Sequence, residues 1–448
     1  MGNAASESVV NTPENGDKLQ TASYMLIGFQ VVLFFLFGFC ATIGLPNPQN
    51  GSPGTVTQGY NMFIGVEIMM FIGFGYLMTF LRKYGVGAVA FTMIITAMGL
   101  QWALFTESFF KQWYHTKEGD AWIDVDINIY SLLQALYAIS SVLISFGACI
   151  GKITPAALIL MTIIELACHS FHYVVLGDAV VGLADIGGTY YDHMFGAAFG
   201  LSVSYVLGMP RDDAHDGGQI SDVLSLIGTL FLWIYWPSFV GGAAEADSAG
   251  QHRALVHTIL ALSSSTVCAF ASSMLLSNNN KFRPVDIQNA TLAGGVAIGV
   301  IANLTLQPID AILTGGAAGI VSTYGYNVLQ PWLEEKKILH DTCGVNNLHF
   351  LPAIVGAIAS VIIAGWKSDN RDQDIYGTDA EHHWWMQLVG ILMTVSFAVV
   401  SGLTTGGILK LFGLVDDEVK QFKDSTWWEM NASLHGLGGS THGTTTAV

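Results

Sequence analysis

Charge is scarce in this chain. Only 11% of its 448 residues are Asp, Glu, Lys or Arg, against 52% apolar residues, whereas an ordinary soluble domain carries about 25% charged residues. That shortage excludes a water-soluble globule. Basic residues are scarcer still, 17 Lys and Arg against 34 Asp and Glu, which leaves little to neutralise a phosphate backbone and excludes nucleic acid as a partner. Cysteine is rare as well. Cys40, Cys149, Cys168, Cys268 and Cys343 lie in or beside apolar runs at no metal-ligand spacing, so neither a disulfide framework nor a zinc site is implied. No metal and no cofactor are expected. Behind the first apolar run, 24–45, there is no small-residue cleavage site, and the run exceeds a signal peptide's core. It is expected to be a retained helix.

What the chain does have is apolar length. A bilayer core about 30 Å thick needs roughly 20 helical residues per crossing. Runs near 24–45, 60–81, 86–107, 127–149, 153–176, 187–208, 221–242, 255–276, 287–306, 309–328, 347–366 and 385–413 meet that length. The expectation is an all-α, polytopic membrane protein of about twelve transmembrane helices. With a cytosolic N-terminus, twelve of the 17 basic residues fall on the inner side, the usual bias of cytoplasmic loops. Both tails, 1–23 and 415–448, are then cytosolic and flank a transmembrane domain over 24–414, with the plasma membrane as the expected location. The opening MGNAAS fits the N-myristoylation pattern at Gly2. Asn50 in Asn50-Gly51-Ser52 is a glycosylation sequon on the outer side, with Pro53 behind it.

One stretch occurs twice. DIGGTYYDHMFGAAFG (185–200) and DTCGVNNLHFLPAIVG (341–356) both read D-x-x-G-x-x-x-x-H-x-x-[GP]-A-x-x-G. This points to an internal duplication with repeats near 60–208 and 221–366. Each repeat holds five helices, and because five is odd the second runs through the membrane inverted. His193 and His349, eight residues into their helices, are each carried about 12 Å inward at about 1.5 Å per residue. They are expected to meet near the midplane around a central pore, since ionisable side chains at such depth seldom face lipid. Asp185 and Asp341 stand at helix starts, where a carboxylate accepts from free N–H groups. Capping and a direct role with the substrate both fit them.

Other polar residues in the apolar runs admit a rival reading. Glu165, His169 and His172 on the fifth helix, with His382 and His383, resemble fragments of a di-iron oxygenase site. Such a site needs more ligands, and a polar seam between helices or a vestibule lining fits Glu165, His169 and His172 better. Glu67 and Asp310 fit packing or a vestibule. No enzyme is expected.

GFGYLMTFLRKYG (73–85), GLQWALF (99–105), FGACIGK (146–152), GTLFLWIYWPSF (228–239), DIQNATLAGG (286–295) and DTCGVNNLH (341–349) together resemble the Rh glycoprotein branch of the ammonium transporter, methylammonium permease and Rh superfamily. The resemblance runs from about Tyr24 to Leu414. It implies a homotrimer with one narrow hydrophobic pore per subunit, and a central pair of hydrogen-bonded histidines at His193 and His349. It further implies an outer gate at Phe239 and Tyr137, the latter where a phenylalanine is usual, and an inner-vestibule carboxylate at Asp222. The outer-vestibule glutamate common on the fifth helix has no counterpart here; Tyr173 or His172 occupies that region. The function implied is an ammonium/ammonia channel in which ammonium loses a proton and crosses as NH3. Electrogenic ammonium uptake, CO2 conduction and ammonium sensing through the C-terminal tail are the alternatives.

Overall fold

The computed structural model describes residues 13–44, 53–116, 122–180, 182–210, 217–277, 279–366, 383–415 and 421–430. The protein is built almost wholly of helices. They are α1 (Pro13–Cys40), α2 (53–80), α3 (Gly85–His115), α4 (Ile129–Cys149), α5 (155–180) and α6 (189–207). After them come α7 (Gln219–Gly242), α8 (Ala249–Leu276), α9 (284–301), α10 (308–335), α11 (Asn346–Trp366) and α12 (His383–Leu411). A three-residue parallel pairing joins β1 (Ala41–Ile43) to β2 (Val125–Ile127).

Local chemistry sets the helix starts. Asn128 opens α4 with a capping box, accepting from Ser131 N–H while Ser131 Oγ accepts from Asn128 N–H. Thr154 caps α5 ahead of Pro155, Ser248 caps α8, and Pro284 and Pro308 occupy the first turns of α9 and α10. Proline suits that position because its missing N–H would be unpaired there anyway.

Among the described residues, nine helices are long and apolar enough to cross a bilayer. The other three expected runs fall on α6, α9 and α10, which are also helical. The run expected as one helix over 287–306 is corrected: α9 is short helical pieces, Pro284–Asn289 and Ala293–Ile298, joined through a turn and ending in a 3-10 turn, Gly299–Ile301. Almost every side chain from Gln288 to Ala302 is buried in protein. Irregular backbone at membrane depth is tolerated only under such cover. By contrast α1 exposes Tyr24, Phe34 and Phe39 by 70% or more, as suits a helix bathed in lipid.

The duplication reappears as matched irregularities. α5 ends in a π-helical stretch at Val175–Val180 and α10 carries one at Gly325–Leu329; α6 opens on one at Thr189–Met194 and α11 on another at Asn346–Phe350. These are the fourth and fifth helices of the two five-helix groups. π turns are rare and gather at functional sites.

Residues 421–430 fold back onto the face where α3 begins. Asp424 accepts from the N–H groups of Val86 (2.9 Å) and Gly87 (2.7 Å), capping α3 from 337 residues away, and Trp428 lies 5.3 Å from the Phe91 ring. Replacing Asp424 by alanine is expected to cost about 0.5–2 kcal/mol, the usual range for a lost cap. Faster protease cleavage of the C-terminal segment, with a change in tryptophan fluorescence, is the measurement; unchanged cleavage would contradict the capping role.

Candidate functional site

Asp185 and Asp341 organise the two halves in the same way. The Asp185 carboxylate accepts from the N–H groups of Thr189 (2.9 Å), Tyr190 (2.6 Å) and Tyr191 (3.2 Å). That of Asp341 accepts from Gly344 (3.1 Å), Val345 (3.0 Å) and Asn346 (2.9 Å). Three residues after each aspartate the backbone turns left-handed, at Gly188 (φ 67°) and Gly344 (φ 72°), a conformation glycine adopts without strain. Burial raises the Asp185 carboxyl to about 7 and the Asp341 carboxyl to about 6, with the backbone donors opposing the shift. Every oxygen of both carboxylates is engaged with backbone, which is the capping role.

These turns aim the histidines at one another. His193 Nδ1 lies 3.2 Å from His349 Nδ1, with ring centroids 5.2 Å apart and planes 19° from parallel. Aromatic rings flank the pair: Trp236 lies 5.6 Å from His193 and Phe74 lies 6.2 Å from His349. The rings are 2% and 3% exposed, so they meet inside the protein. Two imidazoles this close form one N–H···N bond only if one ring donates and the other accepts.

On the face that carries Asp341, two cavities lead toward the pair. The wider, about 420 Å³, is lined by Asp222, Gln288, Tyr326 and Glu334 among others. Gln288 Nε2 donates to Asp222 Oδ1 at 3.3 Å. Phe80 and Cys343 line both it and a constriction of about 20 Å³, whose other walls are mainly apolar and end at His349. That volume suits one small molecule the size of water. On the opposite side of the pair, Phe239 and Tyr137 meet edge to face at 4.8 Å, and Phe239 lies 5.8 Å from His193. Both are buried, at 2% and 6% exposure.

The remaining candidates separate into packing and something else. Ser145 Oγ lies 2.5 Å from Glu165 Oε1 and 2.7 Å from Gly196 O, which makes a polar seam across α4, α5 and α6. His172 sits 3.1 Å from Thr394 Oγ1. Tyr173 lies beneath the Lys111 ammonium, 5.5 Å from its ring centre. Asp310 accepts from Gln307 N–H at the start of α10, Glu67 is half-buried, and His383 Nε2 is 2.9 Å from Gln387 Nε2. No cluster of metal-ligating side chains occurs among the described residues. Gly2, Asn50 and His382 lie outside the described residues.

Three groups carry no signal in the sequence reading. Asp192, beside His193, pairs with His169 at 2.8 Å. Glu107 is 7% exposed on α3. Lys152 donates to Ser204 Oγ (2.5 Å) and to the carbonyls of His340 (3.1 Å) and Gly208 (3.4 Å); Ser204 Oγ donates to the same His340 carbonyl. Burial lowers the Lys152 amine to about 8. Lys152 ties the α4–α5 turn to the end of α6 and to the loop that holds Asp341.

Residues 23–426 match the Ammonium Transporter Family. The chain is 39% identical over 392 residues to Ammonium transporter Rh type B-A of Xenopus laevis, covering 83% of this chain and 82% of that protein. It is 36% identical over 432 residues to Ammonium transporter Rh type B of Danio rerio, covering 90% and 91%. Nitrosomonas europaea Rh50, of the Rhesus protein family of channels, has the same fold with a TM-score of 0.73 and 28% identity, covering 86% of this chain and 96% of that one. The chain belongs to the Ammonium Transporter Family, in its Rh branch.

Proposed function

We propose that this protein conducts ammonia across a membrane after ammonium gives up a proton, along a bore centred on His193 and His349. The single observation that carries this is the facing pair itself, 3.2 Å apart at the end of a constriction of about 20 Å³. A charged group at the bilayer centre costs about 2.5–3.5 kcal/mol on insertion scales. The two rings bring no fixed negative charge to offset it, and burial favours uncharged imidazole. NH3 both accepts and donates hydrogen bonds, as does a neutral histidine pair. The neutral molecule therefore suits this bore and the ammonium ion does not.

Phe239 and Tyr137 act as the outer gate, and Asp222 draws cations into the inner vestibule. The Asp341 face is cytosolic, following the excess of Lys and Arg on that side. Both tails then lie in the cytosol, with residues 24–414 forming the transmembrane domain in the plasma membrane. The chain assembles as a homotrimer, each copy with its own bore.

In proteoliposomes, an inward ammonium gradient is expected to alkalinise the lumen without a membrane current. Replacing His193 and His349 together by alanine is expected to abolish that signal. An unchanged rate in the double variant would remove the pair from the path, and a voltage-dependent current would establish electrogenic uptake instead. CO2 permeability in the same vesicles tests whether the bore passes a second neutral gas.

A further inference from the structure

The proposed conduction leaves a proton behind for every ammonia that crosses, and an apolar bore offers that proton no route back. Beside the bore, in the half that carries Asp185, lies a set of buried titratable side chains. Asp192 immediately precedes His193 on the first turn of α6, so its side chain leaves the helix in a different direction from the imidazole. Its Oδ1 lies 2.8 Å from His169 Nε2, and the residues are 4% and 1% exposed. Ionisable groups at this depth are expensive and mark ion or proton routes.

Two further titratable groups lie within electrostatic range of the pair, one on each side. Toward the gate, the Tyr137 hydroxyl is buried with no hydrogen-bond partner among the described residues, and it lies in electrostatic range of Asp192. Toward the surface, Glu107 on α3 interacts electrostatically with both His169 and Asp192. One Glu107 oxygen is 3.7 Å from the Lys111 amine, whose side chain is 41% exposed. The other Glu107 oxygen and His169 Nδ1 are buried, with no hydrogen-bond partner among the described residues. Exposure therefore rises from His169 and Asp192, through Glu107, to Lys111.

We infer that the His169–Asp192 pair is the proton station for ammonium deprotonation, receiving the proton by way of the Tyr137 hydroxyl and returning it to the outer solution through Glu107. The step balances. An N–H bond of ammonium breaks, its electron pair stays on nitrogen as NH3, and the proton joins the carboxylate–imidazole pair before passing to Glu107 and then to outer water. No net charge accumulates on the protein over a cycle. Lys111 holds Glu107 oriented at the exposed end.

The titratable groups that interact with Asp192 are His169 on α5, Glu107 on α3, Tyr137 on α4 and Asp185 ahead of its own helix. From α12, Thr394 meets His172 and Phe397 meets Phe195, and neither titrates.

This inference rests on the bore being an ammonia path, and the test separates the two. Flux at fixed total ammonium is measured in proteoliposomes with acidic and with alkaline outer solution, for the full chain and for Asp192→Asn, His169→Gln and Glu107→Gln. In acid nearly all the substrate is ammonium and must be deprotonated; in alkali free NH3 is supplied. The acid-to-alkaline flux ratio of Asp192→Asn is expected to fall about a hundredfold, the scale of a lost general base. Glu107→Gln is expected to lower it in the same direction. Variants whose ratio equals that of the unaltered protein, whatever their absolute flux, would overturn the inference. A variant that fails to fold leaves the decision to the other two. Flux that survives loss of both His193 and His349 would instead overturn the ammonia-path reading, whatever the ratio does.

Discussion

Replacing Gly356 by valine is expected to eliminate folded protein from the membrane. A Cβ at this position would stand 2.2 Å from the carbonyl oxygen of Ala297 and 2.9 Å from its Cα, where α11 crosses the interrupted helix α9. These are backbone atoms, and no side-chain rotation relieves the overlap. Packed cores forced to accept extra methylenes lose typically 1–3 kcal/mol even when neighbours can adjust, out of a total stability of about 5–15 kcal/mol. Here the helices must separate, and with them the segment that carries His349. The corresponding residue of the other repeat, Gly200, is as tightly held: its Cβ would stand 2.4 Å from the Ser145 Cα. Gly407, with nothing within 4 Å of its would-be Cβ, is the control and should accept valine with little change. Yield of monodisperse protein after detergent extraction measures the outcome. Normal yield of Gly356→Val would contradict the close crossing.

The two 16-residue copies make much of this architecture legible in the sequence. Three of the matched positions have a plain physical duty: Asp185 and Asp341 bind backbone N–H groups, Gly188 and Gly344 turn left-handed, Gly200 and Gly356 admit a neighbouring backbone. The histidines at equal depth in opposed helices then follow from geometry alone. Apolar length was enough for α1, α3 or α12, which lipid surrounds or which pack along one side. It misled for α9, because a segment sheltered on all sides by protein can break its helix at no cost in exposed backbone. Hydropathy does not distinguish burial in protein from burial in lipid.

What escaped the sequence depends on partners distant along the chain. Asp192 occupies a position with no acidic counterpart in the second copy, where Leu348 stands, so the repeat gave no reason to notice it. Its partner His169 stands out in the sequence as part of a polar seam or a metal-like spacing with His172, and neither reading points to Asp192. Asp424 was one acid among several in a polar tail until α3 supplied the N–H groups it caps. Tyr137 was recognised as a departure from the phenylalanine usual at the gate. Only its electrostatic interaction with Asp192 gives the extra oxygen something to do.

Asp341→Ala is expected to cost several kcal/mol. The alanine leaves the N–H groups of Gly344, Val345 and Asn346 without their acceptor, and a buried donor left unsatisfied costs about 1–3 kcal/mol. Asp341→Asn should be intermediate. Oδ1 alone serves Gly344 and Val345, so an amide oxygen placed there keeps two of the three bonds, while the amide nitrogen faces the Asn346 N–H and cannot accept from it. Thermal unfolding in detergent should rank the unaltered protein above Asp341→Asn, and Asp341→Ala lowest. Ammonium-driven alkalinisation per folded molecule should stay close to normal in Asp341→Asn, because the carboxylate works on the backbone and not on the substrate. An alanine variant as stable as the original would refute the capping account. A well-folded asparagine variant without transport would show that the negative charge itself acts on ammonium, and would move Asp341 from scaffold to conduction path.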